Sequence, residues 1–311
     1  MSTPTSVPLP ADAPAAPAAA AGAGGGRRRR PARPPASSER GGGPLHAVVV
    51  VLLTAVVIGV PLWLVLVTSV KTQGEALLPS LALPREGFHL VENYSTVMTD
   101  GRLGAALLGS VLVVAPSVVF VLLLASMASW VLARRTGRVV SVLYALGISG
   151  LILPPAVVTL VLLLRQLSLA GTVGGMVMVY VGIYMSTAIF FITGFIRTIP
   201  PELEEAARVD GAGPVRTFFT VVLPLLRPVM ATATILICLY IWNDVFYAFF
   251  VVGGRLDTLP LNLFQVASAG AYLNNWHLIF AYVVLMSLPL VLVFVVAQRR
   301  IISGITGGAV K

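Results

Sequence analysis

The most constraining feature of this sequence is a series of long apolar stretches without a charged residue. A helix needs about 20 apolar residues to cross a hydrocarbon core of about 30 Å. Five stretches are that long and uncharged, and a sixth is interrupted only by Asn243 and Asp244; they lie near 47–70, 103–133, 139–164, 166–196, 277–297 and 228–252. The chain is 57% hydrophobic and 11% charged, whereas soluble domains are about 25% charged. The pattern predicts an all-α polytopic protein of the lipid bilayer with six transmembrane helices.

Residues 1–44 differ from the rest because they consist mainly of Pro, Ala, Gly and Arg. Such a segment offers too little to bury to offset its ordering entropy. We therefore predict a disordered tail at 1–44 and one transmembrane domain at 45–311. The apolar stretch after the tail is too long for the hydrophobic region of a cleaved signal peptide, and it is interpreted as an uncleaved first span.

The Lys and Arg residues collect on one side of the predicted spans. Cytoplasmic loops carry an excess of these residues. If the N-terminus is cytoplasmic and the tail is set aside, ten Lys and Arg residues lie inside and five outside. The asymmetry predicts a multi-pass protein of the cytoplasmic membrane, with both termini and the loop between the fourth and fifth spans in the cytoplasm.

Residues suited to catalysis or redox chemistry are scarce. The single cysteine, Cys238, lies in an apolar run and cannot form an intramolecular disulfide. None of the dispersed histidines, His46, His89 and His277, has a second ligand at helical spacing, so no metal site is expected. No nucleophile–base pair is evident, so the chain is not predicted to be an enzyme. The formal charge of +9 comes without a basic patch interleaved with aromatics, which favours a membrane surface over a nucleic-acid partner.

Residues 200–228, PPELEEAARVDGAGPVRTFFTVVLPLLRP, are unusually polar for this chain. Pro200 and Pro201 end one helix and pre-set the first turn of the next. That turn contains three acids that the helix dipole favours, Glu202, Glu204 and Glu205. Gly211 is suited to end the helix, and a second helix is predicted after Gly213-Pro214. The segment is interpreted as a docking element for another protein surface; a plain polar connection facing water is the alternative.

The spacing in this segment resembles a known motif. Glu205-Ala206-Ala207, three residues, Gly211, nine residues and then Val221-x-Leu223-Pro224 is similar to the EAA loop of permeases of binding-protein-dependent ABC importers. From about residue 45 onward the chain is most similar to the carbohydrate-uptake, maltose-permease type. Further segments that resemble this family are LILPPAVVTL at 151–160, ITGFIRTIPPELEEAARVDGAG at 192–213, WND at 242–244 and QRRIISGITGGAVK at 298–311. Gly109 departs from the family, in which Asn often precedes the serine.

The resemblance implies a permease subunit that imports a sugar or oligosaccharide by alternating access. A polyol or glycerol phosphate is the alternative solute. The implied partners are a second permease, a dimer of ATPase subunits and an extracellular solute-binding protein. The ATPase-coupling residues carried over from the motif are Glu205, Ala206, Ala207, Asp210, Gly211, Leu223 and Pro224.

ATP and Mg²⁺ are expected in the partner ATPase and no cofactor in this chain. Neither Lys71 nor Lys311 follows a glycine, as the lysine of a phosphate-binding loop does. A self-contained secondary transporter is the competing class. It is disfavoured because the predicted spans contain one acid and no lysine for ion coupling.

Asp244 is the only acid predicted within a span, where an unpaired aspartate costs about 2.5–3.5 kcal/mol. One interpretation makes it, with Tyr240, Trp242 and Asn243, a polar lining of the translocation path. The other places it near the outer interface in contact with water.

Five aromatic residues are candidates for stacking on a sugar ring: Tyr180, Tyr184, Tyr240, Trp242 and Tyr282. Interfacial placement or ordinary helix packing is the favoured alternative for them. Gly171 and Gly175 form a small-xxx-small pair that predicts a close contact between helices.

Overall fold

The computed structural model describes residues 44–153, 156–268 and 275–309, and of 44 and 296–309 it describes the backbone alone. Residues up to Val51 and residues from Leu52 onward are two separate units. Helices and loops, without a strand, make up the described residues, which confirms the all-α prediction. The predicted tail at 1–44 lies almost wholly outside them. The helices are α1 Pro44–Thr54, α2 Val60–Thr68, α3 Gln73–Ala76, α4 Leu90–Thr99, α5 Leu103–Arg134, α6 Arg138–Ser149, α7 Val157–Gln166, α8 Val173–Ile196, α9 Glu202–Val209, α10 Pro214–Thr217, α11 Leu223–Leu225, α12 Arg227–Trp242, α13 Phe246–Val252, α14 Leu259–Ser268 and α15 Trp276–Ala309, with π-helical turns at Ala55–Gly59 and Phe218–Val222.

Four helical segments of the described chain are long and apolar enough to cross a membrane: Leu45–Thr68, Leu103–Arg134, Val173–Ile196 and Trp276–Val295. A fifth results if Pro214–Leu225 and Arg227–Trp242, which meet at a bend of 74°, count as one span. The predicted span 139–164 is divided between α6 and α7. Pro154 and Pro155, which lie between them and outside the described residues, lack the N–H that a continuous helix needs. The count of six spans therefore stays a prediction.

The core of the larger unit is built around α5 and α8, which pack along each other. Small residues of both helices, among them Ala125 and Ala188, are fully buried, and small residues allow helices to approach closely. The Ser129 hydroxyl donates a hydrogen bond of 3.4 Å to the Ile189 carbonyl across the contact. α12 packs against α5 and α15, and α15 also contacts α2 and α4.

Gly109 lies where the loop before α14 meets α5. A side chain at this position would collide with the Asp257 carbonyl oxygen. At the neighbouring residue, the Ser110 hydroxyl accepts a hydrogen bond of 2.8 Å from the Leu259 amide. The glycine that departs from the family pattern thus allows close approach of a loop, and the polar contact is made by the serine that follows it.

The predicted helix contact at Gly171 and Gly175 is wrong. Gly171 lies in the loop before α8 with a φ of 76°, and its amide donates to the Val251 carbonyl at 3.1 Å. Gly175 lies in the first turn of α8, where the Leu169 carbonyl oxygen occupies the space of a side chain. Gly171 therefore allows close approach to the backbone of α13, and Gly175 allows close approach of the loop before α8.

Candidate functional site: a polar helical hairpin anchored to the bundle

The polar segment folds as a helical hairpin, as its sequence predicts. The Pro201 carbonyl accepts from the Glu204 and Glu205 amides at 3.0 and 3.1 Å, which starts α9. Gly211 follows the helix with a φ of 79°, and the next amide, of Ala212, donates to the Ala207 carbonyl at 2.9 Å. This is the glycine C-cap expected from the sequence. Pro214 then occupies the first turn of α10.

One acid of the first turn faces the bundle. The Glu204 side chain is only 2% exposed. Its Oε1 accepts from the Arg134 Nε at 2.7 Å, and its Oε2 accepts from the Trp130 Nε1 at 2.9 Å. The Arg208 Nη2 lies 4.0 Å from the same Oε2. The sequence contains three acids in this turn, whereas the helix dipole explains one or two of them. The partners of Glu204 lie about 70 positions earlier in the chain, and no spacing rule identifies them from the sequence.

Trp130 and Arg134 also contact parts of the hairpin other than Glu204. The Arg134 Nη2 donates to the Ile199 carbonyl at 2.9 Å, in the loop that leads to α9. The Trp130 ring lies 5.7 Å, centroid to centroid, from the buried ring of Phe218. A cleft of about 480 Å³ between α9 and the end of α5 is lined by Trp130, Val131, Arg134, Arg135, Glu204, Arg208, Ala212, Pro214 and Thr217.

The opposite face of α9 is open. Residues three and four positions apart lie on one side of a helix, and Glu202, Glu205, Ala206 and Val209 on this side are all exposed, Val209 to 87%. Of the other predicted coupling residues, Asp210 and Gly211 are exposed and Ala207 is half-buried. Leu223 and Pro224 lie apart in α11, where they line a second cleft of about 800 Å³ with Phe219 and Arg227.

Asp244 lies in a break between two helices, so the prediction of one span over 228–252 is corrected. α12 ends at Trp242 and α13 begins at Phe246. The Asp244 carboxylate accepts from the Tyr247 and Ala248 amides at 3.3 and 3.0 Å, and from the Tyr180 hydroxyl at 2.7 Å. These donors offset the cost of partly burying the carboxylate, which is of intermediate exposure.

The aromatic candidates divide into packed and accessible residues. Tyr180, Trp242 and Tyr282 are buried within the chain. The Trp242 indole donates to the Met286 carbonyl at 3.3 Å, and the Tyr282 hydroxyl donates to the Asn262 Oδ1 at 2.8 Å. Tyr240 is exposed and stacks on Tyr184 with ring centroids 5.9 Å apart. The exposed Asn243 donates to the Leu239 carbonyl at 2.9 Å.

The helical membrane fold is that of a permease subunit of the kind found in binding-protein-dependent importers, and a family match supports this class. Residues 110–307 match the family described as binding-protein-dependent transport system inner membrane component, and the chain belongs to that family. This confirms the family predicted from the sequence. Its relatives are permease subunits and not enzymes.

Individual relatives cover most of the chain. The melibiose/raffinose/stachyose import permease protein MelC of Bacillus subtilis is 36% identical over 260 residues, which are 81% of this chain and 91% of that protein. The diacetylchitobiose uptake system permease protein NgcG of Streptomyces coelicolor is 34% identical over 265 residues, 83% of this chain and 85% of that protein.

A solved structure has the same fold. It comes from a bacterial ABC transporter involved in the import of the acidic polysaccharide alginate. It aligns with a TM-score of 0.70 at 20% identity, over 82% of this chain and 94% of that one.

Proposed function

We propose that this chain is a membrane-spanning permease subunit of an ATP-driven importer for a sugar or oligosaccharide. The observation that carries the solute class is the similarity to the melibiose/raffinose/stachyose permease over 91% of that protein's length. The diacetylchitobiose permease supports the same class. A second permease, a dimer of ATPase subunits and an extracellular solute-binding protein complete the proposed importer.

The open face of α9 is the proposed contact with the ATPase. Glu205 is exposed there and supplies a charge-assisted hydrogen bond to a basic residue of the ATPase. The small side chain of Ala206 permits close approach, and Asp210 and Gly211 form the turn beside it. ATP and Mg²⁺ are held by the ATPase. Its closure moves the hairpin, and the helical bundle changes between inward-open and outward-open states. The hairpin and both termini are then cytoplasmic.

Tyr240 and Asn243 are the proposed surface of this chain toward the translocation path. Both side chains are exposed, and the stacking of Tyr240 on Tyr184 presents an aromatic face suited to a sugar ring. Asp244 and Trp242 are proposed to position this surface. The Tyr180 hydroxyl donates to the Asp244 carboxylate, and the Trp242 indole donates to the Met286 carbonyl. These two hydrogen bonds hold the break between α12 and α13. The path is shared with the second permease.

Copurification tests the proposed contact. Glu205→Lys reverses the charge on the open face, and it is expected to reduce the amount of ATPase retained with the permease at least tenfold. Asp100→Lys is the matched control, since Asp100 is an exposed acid at the end of α4 in the predicted outer loop. Equal retention by the two variants would show that Glu205 does not bind the ATPase.

Uptake tests the solute class. The assembled importer in proteoliposomes, with its binding protein outside and MgATP inside, is expected to accumulate labelled melibiose, raffinose or diacetylchitobiose. Uptake driven by an ion gradient through this chain alone would contradict the proposal.

A further inference from the structure

The acid on the inner face of α9, Glu204, takes no part in the proposed contact with the ATPase, yet its carboxylate is buried and accepts hydrogen bonds from two side chains of α5. We propose that Glu204, Arg134 and Trp130 form a coupling link, a set of positioning residues that transmit a displacement of α9 to α5. This inference rests on the proposed function, because it assumes that the ATPase moves α9.

A displaced helix moves its neighbours only if its connections cannot absorb the motion. α9 is joined to the chain by two short loops, 197–201 and 210–213, whose dihedral angles can rotate. The carboxylate of Glu204 removes that freedom, since each oxygen accepts a hydrogen bond from a different side chain of α5. Trp130 and Arg134 are one helical turn apart, so the carboxylate is hydrogen-bonded at two points along α5. Burial keeps water from replacing either donor.

The link holds both sides of the hairpin. Arg134 donates a second hydrogen bond to the Ile199 carbonyl and so fixes the loop before α9. On the other side of the hairpin, Phe218, which follows α10, packs against Trp130. The segments before and after the Gly211 turn therefore both contact Trp130 or Arg134, and the hairpin moves with the end of α5 as one body.

α5 carries the displacement to the opposite end of the bundle. Its 32 residues, with Pro116 inside the helix, have a length along the helix of about 48 Å at 1.5 Å per residue. Near its first turns, Gly109 touches the Asp257 carbonyl and Ser110 binds the Leu259 amide. A shift at Trp130 and Arg134 is therefore delivered to the loop before α14, which Ser110 binds by its hydroxyl.

The test separates transmission from docking and from folding. A cysteine is placed at Gly104, which is exposed in the first turn of α5, in a chain with Cys238→Ser. The assembled complex is then labelled with a water-soluble maleimide with and without MgATP. The reference chain is expected to change its labelling rate at least fivefold with MgATP.

Glu204→Gln is expected to retain the ATPase subunits and ATP hydrolysis but to lose the MgATP-dependent change in labelling. The matched control is Glu202→Gln, an exposed acid of the same helical turn, which is expected to keep the change. The double variant Glu204→Gln/Arg134→Met leaves no unpaired buried charge and is therefore suited to fold. It is expected to behave as Glu204→Gln does.

Three results would overturn the inference. One is an undiminished labelling change in the double variant, and another is loss of the ATPase from it, because the ion pair would then serve docking. The third is a reference complex that retains its ATPase but shows no change at Gly104→Cys. If the reference chain retains no ATPase at all, the proposed function fails first and the coupling link fails with it.

Discussion

At the scale of single residues, the close approach of another backbone segment explains why glycine occupies certain positions. Gly109 and Gly175 each lie against a carbonyl oxygen of another segment, whereas Gly104 and Gly174, in the first turns of the same two helices, have open space around them. A side chain at the first pair must displace backbone, which cannot move as a flexible side chain can. Which glycines matter therefore depends on what approaches them.

Gly109→Ala is expected to destabilise the protein by about 1–3 kcal/mol, because the new methyl group overpacks the contact with Asp257. Gly104→Ala lies in the same helix and is expected to leave the stability unchanged. Thermal unfolding of the two purified variants in the same detergent measures the difference. Equal melting temperatures would mean that the loop before α14 moves aside without cost.

At the scale of elements, α9 is too short to be stable alone. It has eight residues, and isolated helices below about 12–15 residues are marginal in water. Its order comes from three sources that the structure places around it: the Pro201 carbonyl at its start, the Glu204 anchor on its inner face and the Gly211 cap at its end. Each source is independent of the open face proposed to bind the ATPase.

Gly211→Ala is expected to loosen α9, because a left-handed φ costs a residue with a side chain roughly 1–2 kcal/mol. Gly213→Ala is the matched control, since Gly213 has a φ of −68° and also has open space around it. Hydrogen exchange measures the effect. Amides of α9 are expected to exchange about tenfold faster in Gly211→Ala, and unchanged exchange would show that the cap does not limit the opening of the helix.

At the scale of the whole molecule, the spans differ in how much of their surface the chain covers. In the apolar window of α8, 50% of the residues are buried, but only 17% are buried in that of Trp276–Val295. Apolar helix surface left open by one chain is suited to lipid or to a second subunit. This distribution fits a permease that works beside a sister chain.

Orientation is testable on the whole protein. In a permease with Cys238→Ser and without its ATPase, a cysteine at Ala206 is expected to react with an impermeant maleimide only in inside-out vesicles. A cysteine at Leu78, an exposed residue of the predicted outer loop, is expected to react only in right-side-out vesicles. Labelling of Ala206→Cys from the outer side would place the hairpin in the wrong compartment for an ATPase.

The sequence alone determined the helical membrane fold, the family and the local form of the hairpin. Apolar length, proline and glycine act within a few residues of themselves, and Pro201, Gly211 and Pro214 start and end helices as predicted. Tertiary structure decided which acid of the first turn is buried, why Gly109 is small and how Asp244 is held. Each depends on a partner far along the chain, Arg134, Asp257 or Tyr180, and proximity of that kind arises only when the helices pack.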